Sequence, residues 1–228
     1  MSVPSPATDR HLDLGCGKFP RNPYRKAELH GVDIRALSPQ DEGFDYRRAN
    51  LALEPIPYPD GHFASVSAYD FIEHVPRMLM GGSEGTRLPF IELMNEIWRV
   101  LAPDGRLYAV TPAWPHAEAF VDPTHVNVIT EGTVDYFVGT APLGRIYGFR
   151  GHFELLRQDW VNADEARSPD AGGEENLFRA RQYETGPKRL AQRFRHWSRR
   201  MRGKPDEHPP PRRHWLRWEL RAIKPDGD

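Results

Sequence analysis

The tightest constraint on this chain is a short strand that runs straight into a glycine pair: His11-Leu12-Asp13-Leu14 followed by Gly15-Cys16-Gly17. Glycine has no Cβ, so such a loop lets the backbone come close to a ligand at the carboxyl end of a strand. Taken alone the pattern leaves several readings open: a ligand loop, a tight strand-to-helix turn, or a nicotinamide-binding loop of the same general build.

The rest of the N-terminal half repeats an alternation of strand and helix. Leu29 to Ile34 reads as a second strand and Phe63 to Tyr69 as a third, introduced by the turn Pro59-Asp60-Gly61. Phe90, Ile91, Leu93, Met94, Ile97, Trp98 and Leu101 recur at helical spacing, and Pro103-Asp104-Gly105 turns the chain into a strand over Arg106 to Thr111. Phe153 to Leu156 and His214 to Ile223 read as closing strands. In the second of these, Trp215, Arg217, Glu219 and Arg221 alternate with Leu216, Trp218, Leu220 and Ala222, which predicts one wet face. Strands alternating with helices imply crossover connections and a mostly parallel α/β sheet.

Features of one chemistry follow the glycine loop in order. Asp33 ends the second strand, where a carboxylate can accept both hydroxyls of a ribose. Ala49-Asn50-Leu51 offers a side-chain amide that both donates and accepts, as an adenine edge requires. Then come Pro55-Ile-Pro-Tyr-Pro-Asp60-Gly-His-Phe63, Tyr69-Asp70-Phe-Ile-Glu73-His74, and Glu96-Ile-Trp-Arg99-Val-Leu-Ala-Pro103-Asp-Gly105.

Over Arg10 to Pro112 this series resembles the class I S-adenosylmethionine (SAM)-dependent methyltransferases, in their small single-domain subgroup. The resemblance implies a Rossmann-like, seven-stranded, mostly parallel sheet with an antiparallel last strand, and SAM as the cofactor. It assigns Gly15 and Gly17 to the methionine end of SAM, with Asp13 orienting their loop. Asp33 falls to the ribose, Asn50 and Leu51 to the adenine, and Tyr69 and Asp70 to the floor of the site. The chain departs from the family where Phe19-Pro20 replaces the third glycine, and where Asn50 stands for an aspartate. Cys16, in the same loop, reads as a small packing residue rather than a nucleophile.

Past the strand over Arg106 to Thr111, Pro115 to Val126 carries His116, Asp122, Thr124 and His125. The Asp122-Pro-Thr-His125 segment, with Thr130 to Phe137 after it, is similar to one in bacterial methyltransferases associated with polysaccharide and sugar modification. That likeness implies O-methylation of a small molecule or a sugar precursor. An alcohol attacking the sulfonium methyl must lose its proton, and a positioned histidine supplies ~10²–10⁴-fold. His125, His116 and Asp122 are the candidates, with His74 behind them. The competing reading is that Asp122 and His125 brace a loop. Two histidines and a carboxylate could also hold a divalent ion, but no fourth ligand stands out and no metal is assigned.

Charge divides the chain. Residues 1–160 carry 15 Lys and Arg against 21 Asp and Glu, whereas residues 161–228 carry 16 against 11. The reading is therefore a SAM-binding core over 1–160, a basic, partly helical insertion over 161–212, and a closing strand with its tail over 213–228. In the insertion, Pro187 to Met201 suits a helix with Leu190, Phe194, Trp197 and Met201 along one stripe. Such a helix could dock on the core, rest on anionic membrane lipid, or bind phosphates of a nucleic acid. A lid over the cofactor would come from Gly81 to Gly85 or from the insertion. One cysteine excludes an intrachain disulfide and a cysteine-built zinc site. With no apolar run of membrane-spanning length and no signal-like start, the expectation is a cytoplasmic protein, in reach of the inner membrane face through its basic helix. Two rival functions remain open: an RNA methyltransferase using the basic insertion, and a non-catalytic SAM-binding partner subunit.

Overall fold

Two prolines decide how the chain leaves its first strand. Pro20 and Pro23 each lack an N–H, and each disfavours helical backbone in the residue before it. The computed structural model describes residues 9–36, 43–80, 85–166 and 213–224, and in it the connection from β1 (Arg10–Leu14) to β2 (Glu28–Asp33) is a series of turns. No helix forms there, so the strand-to-helix reading of the glycine loop does not hold. The proposed helix over Pro187 to Met201 and most of the basic insertion lie outside the described residues, as do residues 81–84 of the other lid candidate.

Beyond β2 come β3 (Asp45–Arg48), β4 (Phe63–Tyr69), a small antiparallel hairpin of β5 (Leu79–Met80) and β6 (Thr86–Arg87), and α1 (Pro89–Val100). They are followed by β7 (Leu101–Pro112), β8 (Phe153–Val161), the single turn α2 (Ala163–Ala166) and β9 (Trp215–Ala222). Seven strands form one sheet in the order β3-β2-β1-β4-β7-β9-β8. The first five run parallel, and β9 is antiparallel to both its neighbours. This is the seven-stranded sheet expected from the sequence. Strand β3 is the one of the seven that no run in the sequence predicts: Asp-Tyr-Arg-Arg at an exposed edge has no apolar face to announce it.

α1 forms as its apolar spacing predicts, with Pro89 in the first turn and Phe90, Leu93, Met94 and Ile97 buried. These pack with Leu12, Leu14, Val66, Ala68, Leu107, Ala109, Leu216, Trp218 and Leu220 in the main core, which lies on one face of the sheet. Arg99 near the end of α1 clasps the preceding loop. Its guanidinium donates to the carbonyls of Ile56 and Tyr58 and to Asp60 and Glu96, at 2.7–2.9 Å. The Pro55–Asp60 and Glu96–Arg99 segments of the sequence signature are thus two halves of one structural clasp.

The opposite face corrects the expectation for β9. Arg217 and Glu219 are buried rather than wet. Asp159 takes both forks of Arg217 at 2.6 and 2.8 Å, and Glu219 accepts from Tyr24 at 3.0 Å and Arg106 at 3.3 Å. Tyr24, Tyr69, Tyr108, Val161 and Ala166 close over the same side. Strict alternation distinguishes the two faces of a strand but does not tell which polar residues find buried partners. Among the described residues, no helix is long and apolar enough to cross a membrane.

Candidate functional site

In open α/β sheets the ligand crevice lies at the carboxyl ends of the strands, where the strand order reverses. Here the chain runs outward from β1 through β2 to β3, then returns to β4 on the other side of β1. The crevice is therefore flanked by the loop after β1 and the segment after β4.

The loop after β1 is shaped by backbone that only glycine adopts readily. Gly15 and Gly17 have φ of +67° and +57°. Gly15 N–H donates to the Val32 carbonyl at 2.8 Å, and a Cβ on Gly15 would lie 2.7 Å from the Phe71 ring. Gly17 N–H donates to Asp33 Oδ2 at 2.9 Å, so the glycine loop and the acid at the end of β2 meet as the sequence predicts. Cys16 is buried against Gly31, and burial pushes its thiol up to about 12, in keeping with a packing role.

Asp33 is 6% exposed. Arg35, itself mostly solvent-exposed, forks over both carboxylate oxygens at 2.8 and 2.9 Å. Although burial opposes it, hydrogen bonds from Arg35 and Gly17 hold the Asp33 carboxyl down at about 2, so it is ionised. The Asp33 carbonyl accepts from Ala49 N–H at 3.1 Å, which brings Asn50 and Leu51 to the same strand end. Leu51 is buried, and Asn50 Oδ1 accepts from Ala52 N–H at 3.2 Å. Across the crevice, Tyr69 is buried and lies under the Arg21 guanidinium, while Asp70 is exposed with φ of +47° and accepts from Trp215 Nε1 at 2.8 Å.

Asp13 sits beneath the loop, fully buried. Oδ2 accepts from Arg21 N–H at 2.8 Å and Oδ1 from the Ser67 hydroxyl at 2.5 Å. Ser67 in turn bonds His11 Nε2 at 2.8 Å, and His11 Nδ1 meets the Ser65 hydroxyl at 2.8 Å. With Asp13 ionised, one proton order satisfies the chain: Ser65 gives to His11, His11 to Ser67, Ser67 to Asp13.

The two ends of this chain titrate in opposite senses. Burial holds His11 neutral down to about 3 and pushes Asp13 up to about 7. Between about pH 7 and pH 5 the unfolded chain gains a proton at His11 that the folded chain refuses, which lowers stability. Over the same interval the folded chain gains one at Asp13 that the unfolded chain does not take, which raises it. Asp13→Asn removes the second contribution, so between about pH 7 and pH 5 its urea midpoint is expected to fall relative to that of the wild type. His11→Gln removes the first, and its midpoint is expected to rise relative to that of the wild type. Relative shifts of the same sign in both variants would contradict the assignment.

The substrate-side candidates do not share one place. Asp122 and His125 come together with His74 and Glu73, while His116 joins His214 and Glu118 in a separate group. In the first, Asp122 Oδ1 accepts from the Thr124 hydroxyl at 2.6 Å, Thr124 Oγ1 lies 2.9 Å from His74 Nδ1, and the His74 and His125 rings are 4.8 Å apart. Glu73, absent from the sequence candidates, is 1% exposed, and burial pushes its carboxyl up to about 8. Its backbone carbonyl accepts from Val126 and Asn127 N–H groups, and its Oε2 from the Thr111 hydroxyl at 2.8 Å. The signal for it was faint: an acid between Ile72 and Val75, in a 3₁₀ turn where strand alternation has already ended.

In the second group, His116 lies edge-on to Trp160 at 4.9 Å, and His214 Nδ1 is 2.5 Å from Glu118 Oε2. His116 also lines a cavity of about 640 Å³ with Trp114, Pro115, Thr130, Glu131 and Trp160.

No protein-family model matches the sequence, and no curated protein matches it. Solved structures do. The chain aligns over 97% of its length with 85% of the chain assigned as methyltransferase in the Haloferax volcanii complex with the Trm112 methyltransferase activator, at 14% identity and a TM-score of 0.51. An S-adenosylmethionine-dependent methyltransferase from Mesorhizobium loti aligns with 95% of this chain and 93% of its own, at 14% identity and a TM-score of 0.47. The strand order, the single antiparallel strand and the first of these likenesses identify the fold as the Rossmann-like fold of class I methyltransferases.

Proposed function

We propose that the chain is a SAM-dependent methyltransferase that transfers the methyl group to a hydroxyl oxygen of a small molecule, with a sugar or glycan precursor as the acceptor class. One observation carries the cofactor half: the buried, ionised Asp33 carboxylate and the left-handed Gly15–Gly17 loop are joined by a hydrogen bond at the switch point of the sheet. A carboxylate at the end of β2 suits a ribose diol, and a glycine loop on β1 suits close approach of the methionine end. Asn50 and Leu51 then take the adenine, and Tyr69 and Asp70 the floor. Asp13, with both oxygens engaged by the chain, serves by holding the loop from beneath.

The acceptor half is supported by the cavity between Trp114 and Trp160. Apolar aromatic faces suit the C–H faces of a sugar ring, and Thr130, Glu131 and His116 suit its hydroxyls. In the transfer, the acceptor oxygen forms a bond to the methyl carbon as the carbon–sulfur bond breaks. The electron pair returns to sulfur, leaving S-adenosylhomocysteine, and the hydroxyl proton passes to a base. His116 lines the cavity and is the imidazole available there for that proton, whereas His125 stands in the separate group with Glu73 and His74.

Calorimetric titration of the full chain with SAM and with S-adenosylhomocysteine tests the cofactor half, and micromolar binding of both is expected. Release of S-adenosylhomocysteine is then measured with sugars, nucleotide-linked sugars and RNA as acceptors. No binding of either cofactor form overturns the reading, and turnover on RNA alone overturns the acceptor class.

Arg35 must leave Asp33 before a ribose can reach it. The Arg35 end of the pair is exposed, and ion pairs open to solvent are worth ~0.2–1 kcal/mol, so Arg35→Ala is expected to bind SAM about 1.4- to fivefold more tightly. Weaker binding by this variant in the same titration would mean that Arg35 itself contacts the cofactor.

A further inference from the structure

Glu73 presents an unanswered question of satisfaction. Its Oε2 is held by Thr111, but Oε1 is buried with no hydrogen-bond partner, and it faces His125 Nε2 across 4.0 Å. That gap is too long for a hydrogen bond. His125 Nε2 is an acceptor as its surroundings set it, and Glu73 Oε1 is one once the carboxyl is ionised. His125 Nδ1 lies 3.2 Å from the Ala119 carbonyl, which can only accept, so Nδ1 carries the proton and Nε2 keeps its lone pair. His74 is set the same way. The Thr124 hydroxyl donates to Asp122, so it accepts from His74 Nδ1–H and leaves the other ring nitrogen free. One ligand atom each from Glu73, His74 and His125 lies within 4.8 Å of the others.

We propose that Glu73, His74 and His125 form a binding site for one divalent first-row transition-metal ion. A cation resolves what the chain leaves open, because it takes the Oε1 and Nε2 lone pairs that otherwise face each other. Metal–nitrogen and metal–oxygen bonds of ~2.0–2.2 Å draw such a set together by a modest contraction. Two imidazoles favour a transition ion over Mg²⁺ or Ca²⁺, which prefer all-oxygen shells. The supports that metal-bound histidines require are also in place: the Ala119 carbonyl behind His125, and the Thr124–Asp122 pair behind His74.

Three protein ligands leave coordination positions open. Resting on the methyltransferase reading, that opening gives the ion a role: it holds the acceptor's hydroxyl oxygen and lowers its pKa. The hydroxyl proton passes to water, the oxygen attacks the methyl carbon, and the carbon–sulfur electron pair returns to sulfur. Occupancy of the site by the ion stands apart from that role.

The test is titration of the chelator-treated full chain with Co²⁺, followed by visible absorption and by competition with Zn²⁺. One Co²⁺ per chain is expected, displaced by Zn²⁺. His125→Ala and Glu73→Gln are expected to weaken binding at least about a hundredfold. Thr124→Val, which leaves all three ligands in place, is expected to weaken it ~10–100-fold through the orientation of His74, and thermal melts establish that each variant is folded. Glu118→Gln, in the His116–His214 group, is expected to leave Co²⁺ binding unchanged. No binding, or binding that survives Glu73→Gln and His125→Ala, overturns the site; so does binding lost only with Glu118. Titration with SAM on the same samples separates the two ideas. SAM binding without Co²⁺ binding defeats the metal site alone, and Co²⁺ binding without SAM binding defeats the methyltransferase reading alone.

Discussion

An Asp33→Ala chain is expected to bind SAM at least about a hundredfold more weakly than the wild type while remaining folded. Hydrogen bonds to a charged partner are worth ~1.5–3 kcal/mol each, and a carboxylate facing a ribose diol makes two. The substitution also removes the acceptor of Gly17 N–H, so the glycine loop loses its tie to β2 at the same time. Arg35 is left without its fork, but its exposure makes that loss small. Titration calorimetry reads the affinity and a thermal melt reads the fold. Wild-type affinity in the folded variant would remove Asp33 from the cofactor site and, with it, the main support for the cofactor assignment.

Gly15→Ala is expected to lower both stability and affinity. A φ of +67° costs an L-residue ~1–2 kcal/mol, and the new methyl would lie 2.7 Å from the Phe71 ring, which must move. For a chain of this size ~1–2 kcal/mol corresponds to about 2–8 °C in Tm, and displacement of Phe71 adds to it. Because Phe71 leads into the Ile72–His74 turn, the disturbance spreads from the loop on β1 to the segment after β4. A tenfold or greater loss of SAM affinity is expected with it. A melt within about 1 °C of the wild type would show that the loop relaxes around the methyl group.

What the sequence made legible follows the physics of each segment. Strand β4 begins and ends at the residues its apolar run predicts, and α1 covers its periodic stretch, because both bury a face against the same core. Strand β3 leaves no mark in the sequence, since Asp45–Arg48 gains its place from backbone pairing at the sheet edge rather than from burial. The connection after the glycine loop is a series of turns because Pro20 and Pro23 disfavour the helix that usually joins parallel strands. For the site, Gly15, Gly17 and Asp33 converge as read, since strand ends in a parallel sheet fix where such residues meet. His116 and His125 looked like one segment, yet the turns over 113–125 send them into different groups, a result of loop path that no periodicity records. Glu73 is not legible in the sequence for a related reason: its partners Thr111, Val126 and Asn127 are remote in the chain.

The placement of β9 between β7 and β8 has a consequence for how the protein is made. A ribosome delivers β7 and β8 well before the strand that joins them, so the growing chain carries two open strand edges with unpaired N–H and C=O groups. Until residues 215–222 emerge and slot in, those edges can pair with each other out of register or with another nascent chain. Among the described strands the last to be synthesised thus goes in one place from the sheet's edge, and the most aggregation-prone interval falls just before it leaves the exit tunnel.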